Sequence, residues 1–128
     1  MNIKELIKAA KEASARSYSP YSRYKVGAAL LTKNGKIHTG TNIENASFPA
    51  GMCAERVALF EAIKNGDDQF EALAIYAEGE NFPFPCGICR QVIAEFTSDL
   101  KIIIAKSEDD YVIKNISELL PDTFDFSV

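Results

Sequence analysis

The chain has 128 residues, 47% apolar and 25% charged, with a formal charge of -4. Those proportions are globular and exclude disordered and fibrous classes. The acidic balance argues against an electrostatic grip on nucleic acid or an anionic membrane surface. No 18-residue apolar run occurs, and MNIKELIKAA lacks the apolar core of a signal peptide, so a cytoplasmic location is expected.

In chain order, Asn2 with Glu5 three residues later reads as a capping box. Ile3, Leu6, Ile7, Ala10 and Ala13 then form an apolar stripe at helical spacing. Ser19-Pro20-Tyr21-Ser22 interrupts it. Two extended runs, Val26 to Thr32 and Ile37 to Ile43, flank Asn34-Gly35, a strong hairpin signal. His38, in the second run among polar neighbours, is expected at the surface. An irregular stretch, Glu44 to Pro49, leads to a predicted helix from Met52 to Lys64, closed by Asn65-Gly66.

Glu71 to Glu78 reads as a short strand, Pro83 and Pro85 mark a loop, and Cys86 to Phe96 fits a helix. Leu100 to Ala105 has the near-continuous apolar character of a strand covered on both faces. Tyr111 to Lys114 reads as an edge strand, and Ser117 to Leu120 as a helical turn stopped by Pro121. The strand-helix-strand unit from Glu71 to Ala105 implies a parallel pair with a right-handed crossover. No repeat or linker is evident. The expectation is one domain over residues 1–128, an α/β fold with a mixed five-stranded sheet between helices, α/β/α.

Three cysteines are too few, and odd in number, for a disulfide framework. With one histidine in the chain, any metal site must be mainly sulfur. Cys86 and Cys89 stand three apart at a helix start, on one face, and Cys53 also falls at a predicted helix start. Helix N-termini favour the thiolates that zinc needs. Three ligands suit a catalytic zinc, which keeps a position open, whereas structural zinc takes four. A CxxC alone also fits a redox pair or half of a structural site, and Glu55 alone fits a first-turn glutamate stabilised by the helix dipole. Together, three cysteines, a glutamate that is no ligand and a PCxxC segment match the zinc deaminases.

Asn42 to Ser47 (NIENAS), Cys53-Ala54-Glu55-Arg56 and Pro85 to Gln91 (PCGICRQ) resemble the signature segments of the small, homotetrameric cytidine deaminases. The similarity extends through Ser19 to Ser22 and Val26 to Leu30 as far as Phe124. The resemblance implies one Zn²⁺ per subunit on Cys53, Cys86 and Cys89, with Glu55 moving the protons of a hydrolytic deamination of cytidine and deoxycytidine in pyrimidine salvage. It implies that Arg56 tempers the thiolate charge, Arg90 being a weaker candidate for the same task. Asn42 and Glu44, two apart on extended chain, would take the ribose 3'-hydroxyl, and the Ala54 N–H the pyrimidine carbonyl. Phe124, on a tail running from Leu119 to Val128, would reach a neighbouring subunit's base in a homotetramer with shared sites.

Two positions depart from the family pattern. Tyr24 stands near base and sugar where phenylalanine is common, and Phe48 stands where tyrosine is usual. The nearest rival is a deaminase of another cytosine-bearing aminonucleoside of the blasticidin type, which would share the zinc segments but not NIENAS. A structural zinc module would leave Glu55 and the missing fourth ligand unexplained.

Overall fold

The computed structural model describes residues 1–126, so Ser127 and Val128, the end of the tail, lie outside the described residues. The chain runs α1 (Ile3–Ser14), β1 (Val26–Thr32), β2 (Ile37–Thr41), a 3-10 turn (Phe48–Ala50), α2 (Ala54–Lys64), β3 (Phe70–Ala77), α3 (Gly87–Phe96), β4 (Lys101–Ala105), β5 (Tyr111–Asn115) and α4 (Ile116–Leu119). The five strands form one sheet in the order β2-β1-β3-β4-β5. Only β3 and β4 run parallel; β1 is antiparallel to both β2 and β3, and β5 to β4. This is the expected three-layer α/β/α architecture with a mixed sheet.

Pattern and position agree. The central strands β3 and β4 are buried almost without interruption, while the edge strand β2 alternates between exposed and buried residues. Gly35 takes the left-handed conformation, φ 88°, that the tight β1–β2 connection requires. One face of the sheet packs Ala29, Ala72, Ala74 and Ile103 against Leu6, Ile7 and Ala10 of α1. The other packs Leu30, Leu73, Ile75 and Ile102 against Ala58 and Leu59 of α2, Ile93 of α3 and Ile116 of α4.

Two glycines set the heights of the helices. A Cβ at Gly27 in β1 would stand 1.8 Å from Ala10 O in α1, and one at Gly40 in β2 would stand 2.4 Å from Ala54 O in α2. Neither approach leaves room for a methyl group. Ser14, small enough to sit over Gly27, is therefore buried in place of the expected Ala13, and its hydroxyl donates to Lys11 O at 2.6 Å.

Some local expectations change. Asn2 caps α1 by accepting from Glu5 N at 3.1 Å, but only this half of a capping box forms. A full box closes instead at Asn115 and Glu118, which share that spacing. The helix expected from Met52 starts at Ala54, because Met52 is held in a β-bridge to Ile43. His38 is not a surface residue: it is buried, with Nε2 2.8 Å from Asp67 Oδ2. Strand alternation decides this, since residue 38 shares a face with Gly40 beneath α2. Among the described residues, no helix is long and apolar enough to cross a membrane.

Candidate active site

The site lies where α2 and α3 begin. Cys53 is the N-cap of α2 and Cys86 the N-cap of α3, so both cysteines sit where unpaired backbone N–H groups concentrate positive potential. Cys89, one turn into α3, is buried and donates its N–H toward Cys86 Sγ at 3.5 Å. The sulfur atoms of Cys53 and Cys86 are 3.9 Å apart, those of Cys86 and Cys89 3.4 Å, and all three fall within 4.8 Å of one another. No disulfide joins them.

That spacing fits a metal. A tetrahedral zinc with Zn–S bonds of about 2.3 Å separates neighbouring sulfurs by ~3.8 Å. The donor chemistry fits too: Cys53 is pulled down to about 5, chiefly by the hydrogen bond from Cys89, with Arg56 adding its own hydrogen bond and charge. The same bond, followed by burial, pushes Cys89 up. Arg56 Nη2 donates to Cys53 Sγ at 3.5 Å, so the guanidinium faces the sulfur set as expected. Arg56 Nε is buried and has no hydrogen-bond partner of its own, so the side chain is held here by the sulfurs.

Glu55, the second residue of α2, points inward with only 5% of its surface exposed. Burial, reinforced by the negative charge at Cys53, raises its carboxyl to about 7. A carboxyl poised there can both take and return a proton near neutrality.

Above the sulfurs opens a cavity of about 800 Å³. It brings together Tyr24, Asn42, Glu44, Cys53, Ala54, Glu55 and Arg56, all singled out from sequence. Tyr24 is raised above the ordinary phenol value, by burial first and then by the charge of Glu55. Ala54 is fully buried, and its N–H belongs to the first helical turn, which lacks intrahelical acceptors.

The polar ends of Asn42 and Glu44 are already engaged. Asn42 Oδ1 accepts from Ser17 Oγ (2.5 Å) and Val26 N (2.9 Å), and its Nδ2 donates to Tyr24 O (2.7 Å). Glu44 Oε1 accepts from Tyr21 N (2.9 Å) and Ser22 N (3.1 Å), and its Oε2 from the Ser22 hydroxyl. Counting valences, Asn42 keeps one N–H and Glu44 one lone pair on Oε2.

Two candidates lie elsewhere. Arg90 turns away from the sulfurs: its Nε donates to Pro85 O at 2.8 Å and its Nη1 to Leu119 O at 3.0 Å. Phe124 is 71% exposed on the tail beyond α4 and does not line the cavity of its own chain. Sequence reasoning missed the Phe82-Pro83-Phe84 wall and the serines that hold Asn42 and Glu44. An aromatic-proline run directly before Cys86 was the available signal for the wall.

Comparison with known proteins gives the same picture. Residues 1–106 match the family described as the cytidine and deoxycytidylate deaminase zinc-binding region. The chain is 45% identical over 125 residues to a cytidine deaminase of Halalkalibacterium halodurans, covering 97% of this chain and 95% of that one. It is 42% identical over 125 residues to a cytidine deaminase of Sporosarcina psychrophila, covering 97% and 92%. A crystal structure of cytidine deaminase from Burkholderia pseudomallei superposes with a TM-score of 0.93 at 42% identity, over 97% of this chain and all of that one. Fold, sulfur cluster and buried carboxyl thus define a zinc-dependent deaminase. Within that class, the chain belongs to the cytidine and deoxycytidylate deaminase family.

Proposed function

We propose that the protein hydrolyses the exocyclic amine of free cytidine and deoxycytidine, yielding uridine or deoxyuridine and ammonia, as a step of pyrimidine salvage in the cytoplasm. The observation that carries this reading is the buried Glu55 carboxyl beside three convergent cysteines, lining a cavity with ample room for a nucleoside. Zinc on Cys53, Cys86 and Cys89, when bound, supplies a Lewis acid with one coordination position left open.

The chain's own residues do the rest. Glu55 takes a proton from the attacking water and passes it to the ring nitrogen N3 as the C4–O bond forms; it then moves the second proton, from the new C4 hydroxyl, to the amine as the C4–N bond breaks, so water is consumed and ammonia released. Burial excludes bulk water and suits the carboxyl to both halves of that task. The Ala54 N–H meets the pyrimidine carbonyl and the Tyr24 ring packs near base and sugar. The remaining N–H of Asn42 and lone pair of Glu44 form a donor-acceptor pair, the complement of one hydroxyl; the 3'-hydroxyl is common to both nucleosides. Arg56, whose guanidinium offsets the excess charge of three thiolates, is, among the described residues, the only cationic side chain lining the cavity, so none of these is left to receive a nucleotide's phosphate.

We further propose that residues 1–128 form one catalytic domain binding one Zn²⁺, and that four copies assemble with shared sites. The exposure of Phe124 at 71%, and of Phe48 at the cavity mouth at 73%, supports a neighbour completing the pocket. Ammonia release from cytidine by purified protein, with a chelator-treated control, tests the reaction. No release from zinc-loaded protein, or a preference for the monophosphate in competition, would refute it.

A further inference from the structure

The loop before β1 is built around a carboxylate. The N–H groups of Tyr21 and Ser22 and the Ser22 hydroxyl all donate to Glu44. Ser22 Oγ in turn accepts from Tyr24 N at 3.0 Å, and Arg23 N closes the turn on Ser19 O at 2.9 Å. Among the described residues, Arg23 is the one non-glycine residue with positive φ, at 58°. A bulky residue adopts that conformation when its surroundings dictate it, and here the turn is wrapped on Glu44.

We propose that Ser22 is a positioning residue that presets Glu44 as a single-acceptor grip, restricting substrates to those presenting a hydroxyl, rather than a hydrogen, ether or phosphate, at that point. The inference rests on the nucleoside reading above and deepens it. A free carboxylate offers about four acceptor sites and swings between rotamers. Here three sites are filled: the two N–H groups take Oε1, and the Ser22 hydroxyl takes one of the two sites on Oε2, leaving one on a residue that lines the cavity. Beside it, Asn42 retains one donor. A hydroxyl can accept from Asn42 and donate to Glu44 through one oxygen atom. A hydrogen leaves both unpaired, an ether satisfies only Asn42, and a phosphate meets the carboxylate's charge. The Ser22 hydroxyl, followed by the Ser22 and Tyr21 N–H groups, also holds Glu44 below the usual carboxylate range, so the grip stays anionic under mildly acidic conditions.

The test compares deoxycytidine with 2',3'-dideoxycytidine on zinc-loaded protein. Ser22→Ala should raise KM for deoxycytidine roughly ten- to hundredfold, in line with losing a hydrogen bond to a charged group, with kcat within about twofold. KM for the dideoxynucleoside should not move, and Ser22→Thr should restore the original value. A parallel rise for both substrates would reduce Ser22 to a structural turn residue, and no rise for either would remove it from recognition; each overturns the proposal. A ¹³C titration of the Glu44 carboxyl gives a second readout that needs no turnover. Ser22→Ala should move it up toward the ordinary carboxylate value, and an unmoved titration also overturns the proposal. Should the wild-type protein turn over neither nucleoside, the functional reading falls, while the titration still decides whether Ser22 sets the state of Glu44.

Discussion

Helices α1 and α2 cross the same hairpin from opposite faces, and each does so over a glycine, Gly27 under α1 and Gly40 under α2. Their buried faces differ in one respect. Leu6, Ile7, Ala10 and Ser14 of α1 pack against the sheet, and nothing on that face carries chemistry. In α2 the buried set is Ala54, Glu55, Ala58, Leu59 and Ala62, so an ionisable carboxyl takes a position that packing alone would give to an apolar residue. Cys53 begins that helix and Arg56 follows, making its first turn the site. The fold thus uses one packing device twice, for stability on one face and to aim a carboxyl on the other.

The largest expected effects come from breaking that difference outright. Replacing Cys53, Cys86 or Cys89 by Ala should abolish zinc binding, measured by metal analysis, and activity with it. Glu55→Gln should keep zinc and thermal stability while losing at least ~10²-fold in kcat, since general acid-base catalysis is worth that much. Leu6→Ala on α1 should do the reverse, costing about 2–5 kcal/mol of stability in denaturant melts with kcat of the folded fraction intact. If Glu55→Gln were to act like Leu6→Ala, the carboxyl would be a packing residue and the contrast would fail.

The glycines sharpen the comparison. Gly27→Ala and Gly40→Ala both force a helix outward, because each added methyl meets backbone. Only Gly40→Ala moves the helix that carries Glu55, so it alone should lower kcat/KM, by roughly 10–100-fold for a shift approaching 1 Å. Equal activity loss in both variants would show that the two faces are not functionally separate.

Smaller again is Arg56. Arg56→Ala should reduce kcat severalfold and speed zinc loss to a chelator, because a half-buried guanidinium donating to the Cys53 sulfur tunes rather than builds the site. Arg56→Gln, which keeps a donor, should fall between. Unchanged turnover, zinc content and melting temperature would make it a bystander.

Legibility followed range. Strand periods, the Asn34-Gly35 turn and the spacing of Cys86 to Cys89 are local patterns, and each element appears within a few residues of its expected place. The convergence of Cys53 on that pair is long-range; neither spacing nor propensity contains it, and it was anticipated from the count of three cysteines, the predicted helix start at Cys53 and the family resemblance. Hydrogen-bond partners were the least legible. Arg90 was a candidate to face sulfur, but Pro85 and Leu119 offer it two carbonyls that sequence distance conceals. His38 was placed at the surface from its polar neighbours, whereas its strand phase, fixed by Gly40 under α2, turns it toward Asp67. Asn42 and Glu44 do line the cavity, yet serines from the α1–β1 loop decide how many of their valences remain.

Arg90 also sets a length. By holding Leu119 O, it anchors the root of the C-terminal tail beside the segment that carries Cys86. Phe124 lies five residues beyond that anchor. Fully extended, a tether of that length spans roughly 17 Å. In any assembly with shared sites, the receiving pocket must therefore open within that radius of the donor's α4, plus the reach of the phenylalanine side chain, or Phe124 cannot serve it. Lengthening the tether by a few glycines between Pro121 and Phe124 would relax the radius while leaving the Arg90 anchor on Leu119 in place, and KM would register the lost effective concentration.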